Sequence, residues 1–186
     1  MNLKNYNKHI PKIDFSPVIN FITREDTLKI YKKGETFLEL NSKCNFMGYA
    51  ISGVFRNICF TPEGENKIVR YSFTNSFVGN YPTFINKATS NIEIQTVRDS
   101  SVYVITYNQL MQFFESYSVY QNLRTQLAET LLIEMYDIFI FIYTMTPKEQ
   151  YLYILNRCPD LLDNITQKEL SSLLRITSET LSRIRK

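Results

Sequence analysis

The residues of this 186-residue chain best suited to recognition chemistry lie in its last 21, Thr166 to Lys186. At ~100° per residue on a helix, Glu179, Ser182, Arg183 and Lys186 share one face, and Leu181 and Ile184 take the opposite one. A guanidinium can donate two hydrogen bonds to guanine O6 and N7, and a carboxylate can accept from cytosine N4. Arg183 and Glu179, one turn apart, therefore carry the chemistry to read neighbouring base pairs. Thr166, Gln167, Ser178, Thr180 and Arg185 fall at helix starts or flanks and suit phosphate contacts, which position a protein without specifying sequence. Five cations against two carboxylates give the segment a net charge of +3, equal to that of the whole chain, so the excess positive charge is concentrated at this end.

Two short helices must hold those groups. Thr166-Gln167-Lys168-Glu169 fits a capping box, Leu170, Leu173 and Leu174 supply an apolar face, Arg175-Ile176 make a turn, and Thr177 can cap a second helix. Upstream, Thr146 to Asn156 reads as a helix ending before Pro159, with Asp160 to Ile165 as connector. A Gly-free and Pro-free stretch runs from Asn108 to Pro147. Within it, Ala128, Leu131, Met135, Ile138, Ile142 and Met145 alternate spacings of three and four, the pattern of a dimer seam, and Glu134 and Asp137 fall outside that stripe. Leu132, Tyr136, Phe139 and Tyr143 form a second stripe. One side can pack on the chain's own sheet and the other on a twin subunit, or both can be core of a monomer. From Thr27 to Tyr107 the runs Asn45–Ile51, Val54–Phe60, Ile68–Phe73, Ile92–Val97 and Val102–Thr106 are strand-like, broken by Ser52-Gly53, Thr61-Pro62-Glu63-Gly64 and Arg98-Asp99-Ser100. That rhythm predicts an antiparallel sandwich or barrel.

Other chemistries lack their residues. No Ser/His/Asp or Cys/His grouping, phosphate loop or metal-spaced cluster is present, so no catalytic residue, metal or cofactor is expected. The single histidine, His9, sits in a polar leader. Cys44, Cys59 and Cys158 lie far apart, and no apolar leader opens the chain, so a cytoplasmic location is expected. Leu131 to Met145 is too short and too charged for a bilayer span of about 20 residues.

Gln167 to Lys186, above all Glu179-Thr180-Leu181-Ser182-Arg183, resembles the helix-turn-helix of the Crp/Fnr family of bacterial transcription regulators. Lys33-Gly34-Glu35, Tyr49 to Arg56 and Phe77-Val78-Gly79 are similar to the turns of that family's cyclic-nucleotide-binding β-roll. The resemblance implies an α+β chain: a sensor β-roll over 1–116, a dimerisation helix over 117–145 and a helix-turn-helix domain over 146–186. The family's β-hairpin wing is expected to be absent, because the sequence stops at Lys186, leaving either a modest DNA affinity or a shortened form. It implies double-stranded DNA with an inverted-repeat operator, a homodimer joined through Ala128, Leu131, Met135, Ile138 and Ile142, RNA polymerase as a partner, and a small-molecule effector. The effector pocket would comprise Gly79, Asn80, Tyr81, Ser90 and Asn91. There, however, Asn80 stands where the family has the ribose-binding Glu, and Thr89-Ser90-Asn91 stands where it has the phosphate-binding Arg. Cyclic AMP binding in the family's usual way is not expected, and the pocket holds another small ligand or none. The iron-sulfur and haem versions of the family lack their ligands here. The alternative is a ligand-binding or protein-interaction module with a vestigial helix-turn-helix.

Overall fold

The computed structural model describes residues 14–23, 27–157, 159–162 and 164–185. Among them, eight strands form two antiparallel sheets. Strands β1 (Leu28–Tyr31), β8 (Ser100–Thr106), β3 (Phe46–Ser52) and β6 (Ser76–Val78) lie in that order in one sheet; β2 (Thr36–Leu38), β7 (Glu93–Thr96), β4 (Val54–Phe60) and β5 (Asn66–Phe73) make the other. The helices are α1 (Ser16–Ile22), α2 (Tyr81–Ile85), α3 (Tyr107–Ser116), α4 (Ser118–Thr144), α5 (Pro147–Arg157), α6 (Pro159–Leu162), α7 (Gln167–Leu174) and α8 (Ser178–Arg185). This is the β-roll, long helix and C-terminal helices that the sequence predicts. The connector expected from Asp160 to Ile165 is in part helical, since Pro159 can open α6 at its first position. His9, Cys158 and Lys186 lie outside the described residues.

Turn chemistry sets the roll. Gly53, between β3 and β4, has φ +102, and a Cβ there would lie 2.7 Å from the Ser100 Cα, so the tight hairpin requires glycine. Three Thr-x-x-Gln/Glu boxes start helices: Thr106 with Gln109 at α3, Thr146 with Glu149 at α5, and Thr166 with Glu169 at α7. Tyr117, extended at φ −144 and ψ 145, separates α3 from α4.

Alternation along β4 serves two cores. Phe55 points between the sheets, where Phe37, Ile94, Val102 and Ile105 join Val18 and Ile22 of α1, Leu110 and Phe114 of α3, and Leu123 and Leu127 of α4. Phe37 holds the centre of this core, edge-on to Tyr31, Phe46 and Phe55 with ring centroids 5.8, 5.2 and 5.8 Å away. Val54 faces the other way. With Ile68, Tyr71 and Phe73 it forms the floor of a second core, closed by Tyr151 and Ile154 of α5, Leu161 of α6, Leu170, Leu173 and Leu174 of α7 and Leu181 of α8. The C-terminal helices thus use the outside of the second sheet as their own interior. Each buried leucine contributes about 1.5–3 kcal/mol to that attachment.

Truncating the ring at the first core's centre leaves a cavity that rigid sheets cannot collapse. Phe37→Ala should lower the free energy of unfolding by about 3–5 kcal/mol, seen as a drop in the urea midpoint at unchanged slope.

A candidate nucleic-acid interface

Helices α7 and α8 meet at a tight turn. Arg175 adopts the left-handed conformation (φ 57), its N–H donates to the Ser172 carbonyl at 3.1 Å, and that of Ile176 donates to Ser171 at 3.0 Å. Glycine usually takes such a position, and a side chain there costs about 1–2 kcal/mol. The Arg175 guanidinium gives part of that back by donating to Gln150 Oε1 of α5 at 2.8 Å. Thr177 opens α8, its hydroxyl accepting from the Thr180 N–H at 3.2 Å.

The turn aims α8 as its spacing predicts. Leu181 is buried and Ile184 half-buried, whereas Ser178, Glu179, Ser182, Arg183 and Arg185 are exposed, Thr180 is half-buried, and Thr166 and Gln167 are exposed at the start of α7. The Glu179 carboxyl is held below its ordinary range by its own backbone N–H, by the Thr177 hydroxyl and by the nearby Arg183. It is therefore an acceptor at neutral pH, one turn from a cation.

Two arginines that carried no assigned role in the sequence reading tie the β-roll to its helices. Arg56 of β4 pairs with the Glu169 carboxylate of α7 and donates to Gln95 Oε1 at 2.6 Å. Arg70 of β5 lies 3.6 Å from the Glu134 carboxylate of α4. No local pattern marks these two positions, since each strand carries other polar residues and the partners lie far away in sequence. Two further bonds join sheet and helix pair: the Ile68 N–H donates to Ser172 Oγ at 3.0 Å, and Arg98 donates to Asn164 Oδ1 at 3.2 Å.

The residues expected to line an effector pocket do meet. The buried Asn80 amide donates to Ser90 Oγ at 3.2 Å and to Asn91 Oδ1 at 2.9 Å, and Ser90 Oγ donates to the Ile92 carbonyl at 2.7 Å. Gly79 packs on Met47, where a Cβ would approach the Met47 Cγ to 2.9 Å, and Tyr81 is half-buried beside them. Asn80, Ser90 and Asn91 satisfy one another, and burial raises the Tyr81 hydroxyl while the charge of Arg124 on α4 opposes the rise.

The residues expected at a dimer seam divide between exposed and half-buried positions on α4. Of Ala128, Leu131, Met135, Ile138 and Ile142, only Ala128 and Met135 are exposed; Leu131 packs on the first core, and Ile138 and Ile142 face α5 and α7. The exposed large apolar side chains in this half of α4 are Leu132 (71% exposed), Ile133, Met135, Tyr136, Phe139, Ile140 and Tyr143 (75%). Packing on the chain's own sheet and helices claimed the side that periodicity alone left undecided.

Residues 28–117 match the cyclic nucleotide-binding domain family. No curated protein matches the chain in sequence. Among solved structures, FixK2 of Bradyrhizobium japonicum is similar at 16% identity and a TM-score of 0.71, covering 86% of this chain and 82% of that one. The c-di-GMP-responsive global regulator CLP of Xanthomonas campestris is similar at 18% identity and a TM-score of 0.68, covering 92% and 89%. A mutant of CooA from Carboxydothermus hydrogenoformans is similar at 13% identity and a TM-score of 0.68, covering 95% and 84%. The likeness extends beyond residues 28–117 through α4 to the C-terminal helices, so the chain shares its fold with these proteins. Among the described residues, no cluster of His, Cys, Asp and Glu is arranged to hold a metal, and no helix is long and apolar enough to cross a membrane.

Burial pushes the Glu169 carboxyl up, but the Thr166 N–H and hydroxyl and the Arg56 guanidinium outweigh it, so the group sits below its ordinary value near 4.5. A depressed carboxyl contributes stability that is complete above its unfolded value and lost as pH falls through the folded one. Glu169→Gln keeps a capping side chain and removes the charge. The wild-type advantage over this variant in urea midpoint should be steady at neutral pH and shrink below about pH 4.5; a gap that stays constant down to pH 3 would contradict the pairing.

Proposed function

We propose that the chain is a bacterial transcription regulator of the Crp/Fnr type that binds an inverted-repeat operator as a homodimer. One observation carries this reading: α8 seats Leu181 in the second core and leaves Glu179, Ser182 and Arg183 open to solvent on one face. In the proposed complex Arg183 and Glu179 read base edges, with Ser182 on the same face and Lys186 as a further DNA contact. Thr166, Gln167, Ser178, Thr180 and Arg185 hold the phosphate backbone.

The proposed functional units are a sensor over 1–116, a dimerisation helix over 117–145 and a DNA-binding unit over 146–186, acting in the cytoplasm with RNA polymerase as a further partner. The exposed stripe Leu132, Met135, Tyr136, Phe139 and Tyr143 supports pairing of α4 with its twin, since a run of large apolar side chains along one helix is costly to leave in water. Two α8 helices about a two-fold axis would enter successive major grooves roughly 34 Å apart. A signal would act by biasing the pose of α4 and so the spacing of the two readers. Cyclic AMP held by a Glu and an Arg is not part of the proposal. Gly79-Asn80 and Thr89-Ser90-Asn91 stand in the corresponding segments, and Asn80 donates to Asn91, so the roll takes a different small ligand or works without one.

Selection of bound duplexes from a random pool tests the reading. The intact protein should enrich an inverted repeat, and Arg183→Ala should relax preference at one position per half-site at a cost of about 1–3 kcal/mol. Failure to retain any duplex in low salt, or an unchanged preference in the variant, would overturn it.

A further inference from the structure

The joint between α4 and the C-terminal helices is short. Met145, extended at φ −99 and ψ 136, ends α4, and Thr146 already caps α5 with Glu149. Packing leaves this joint loose, because a void of about 70 Å³ lies between α4, α5 and α7. Its walls include Ile138, Phe141 and Ile142 of α4, Ile154 of α5 and Leu173 of α7. Apolar contact is also non-directional. The leucines of the second core hold the helix pair down on the sheet, but they carry no directional bond to α4.

One side chain bridges the joint. Gln150 of α5 is buried, with 4% of its surface exposed. Its Nε2 donates to the Met145 carbonyl at 2.9 Å and to the Ile142 carbonyl at 3.4 Å, and its Oε1 accepts from the Arg175 guanidinium at 2.8 Å. Ile142 lies in the last turn of α4, where a helix leaves its carbonyls without partners, so the amide stands in for missing backbone donors. Arg175 is the left-handed residue between α7 and α8. One amide therefore ties the end of α4 to the turn that aims α8. Its orientation is fixed, since flipping it would set Oε1 against two carbonyls and an NH2 against a guanidinium. The bond also accounts for an arginine where glycine is usual, because glycine has no side chain to reach Gln150.

We propose that Gln150 is a positioning residue, which through Arg175 fixes the angle between α4 and α8 and so the half-site spacing that the dimer accepts. Neither residue touches a base or a phosphate in that reading. With α4 paired to its twin, the angle at this joint decides how far apart the two α8 helices stand. The effect on spacing rests on the DNA-binding reading; the fixed pose itself does not.

Arg175→Gly is the leading variant, because glycine suits the left-handed turn and the relief of strain offsets the lost hydrogen bond, so the fold should be kept. Gln150→Met, which keeps the length of the side chain and removes all three bonds, is the second. Binding is measured on duplexes whose half-sites are separated by the spacer that the wild type selects, or by one base pair more or fewer. In either variant the preference for the selected spacer should shrink by about tenfold, the weight of a hydrogen bond to a charged group, with affinity for a single half-site unchanged. The double variant should lose no more than either single one, since both act through one bond. A residue that only stabilised the fold would weaken binding at all spacings alike. That outcome, additive losses in the double variant, or an undiminished spacer preference in Arg175→Gly would overturn the proposal. A second readout needs no DNA: residual dipolar couplings of the unliganded protein report the orientation of α8 relative to α4. Arg175→Gly should alter the couplings of α8 while those of α4 and β5 hold, and unchanged α8 couplings would overturn the proposal. Altered couplings in a protein that ignores DNA would uphold the joint and sink the regulator reading alone.

Discussion

Everything distinctive about this molecule depends on leucines from two short helices burying themselves against the outer face of a β-sheet. Helices of eight residues are too short to be stable alone in water, and the α7–α8 pair has little interior of its own. Leu170, Leu173, Leu174 and Leu181 find that interior on Val54, Ile68, Tyr71 and Phe73. With those residues seated, the polar face of α8 has nowhere to point but outward. The sheet is therefore both a wall of the β-roll and the foundation of the helix pair.

Charge reinforces this apolar contact and gives it direction. Arg56 reaches from β4 to the carboxylate that also caps α7, so a single side chain, Glu169, fixes the start of the helix and its place on the sheet. Arg70 reaches from β5 to α4 but meets Glu134 at a longer distance in a drier setting. In both pairs the arginine keeps a buried Nε without a hydrogen-bond partner.

Local chemistry was legible in the residues and long-range choices were not. The Thr166-Glu169 box, the Thr177 cap and the inward Leu181 depend on spacings of a few residues, and the structure has all three. Strands β3, β4 and β5 announced themselves through apolar runs closed by Gly and Pro. The short strands β1, β2 and β6 and the helices α1 and α2 did not, since three to seven residues hold too little pattern and owe their form to neighbours distant in sequence. Periodicity found two apolar stripes on α4 without telling which one the chain would cover itself. Arg56, Arg70 and Arg175 owe their roles to partners 64 to 113, or 25, positions away, which no window along the sequence can contain.

The shared core between sheet and helix pair is tested most directly by native-state amide hydrogen exchange on the unliganded protein. If the second core is one cooperative unit, amides of α7 and of the buried turn of α8 should open with the same free energy as those of β5, at or near the global value. Helix-pair amides that exchange freely while β5 remains protected would mean that the helices only rest on the sheet, and the account of how the reading face is positioned would be wrong.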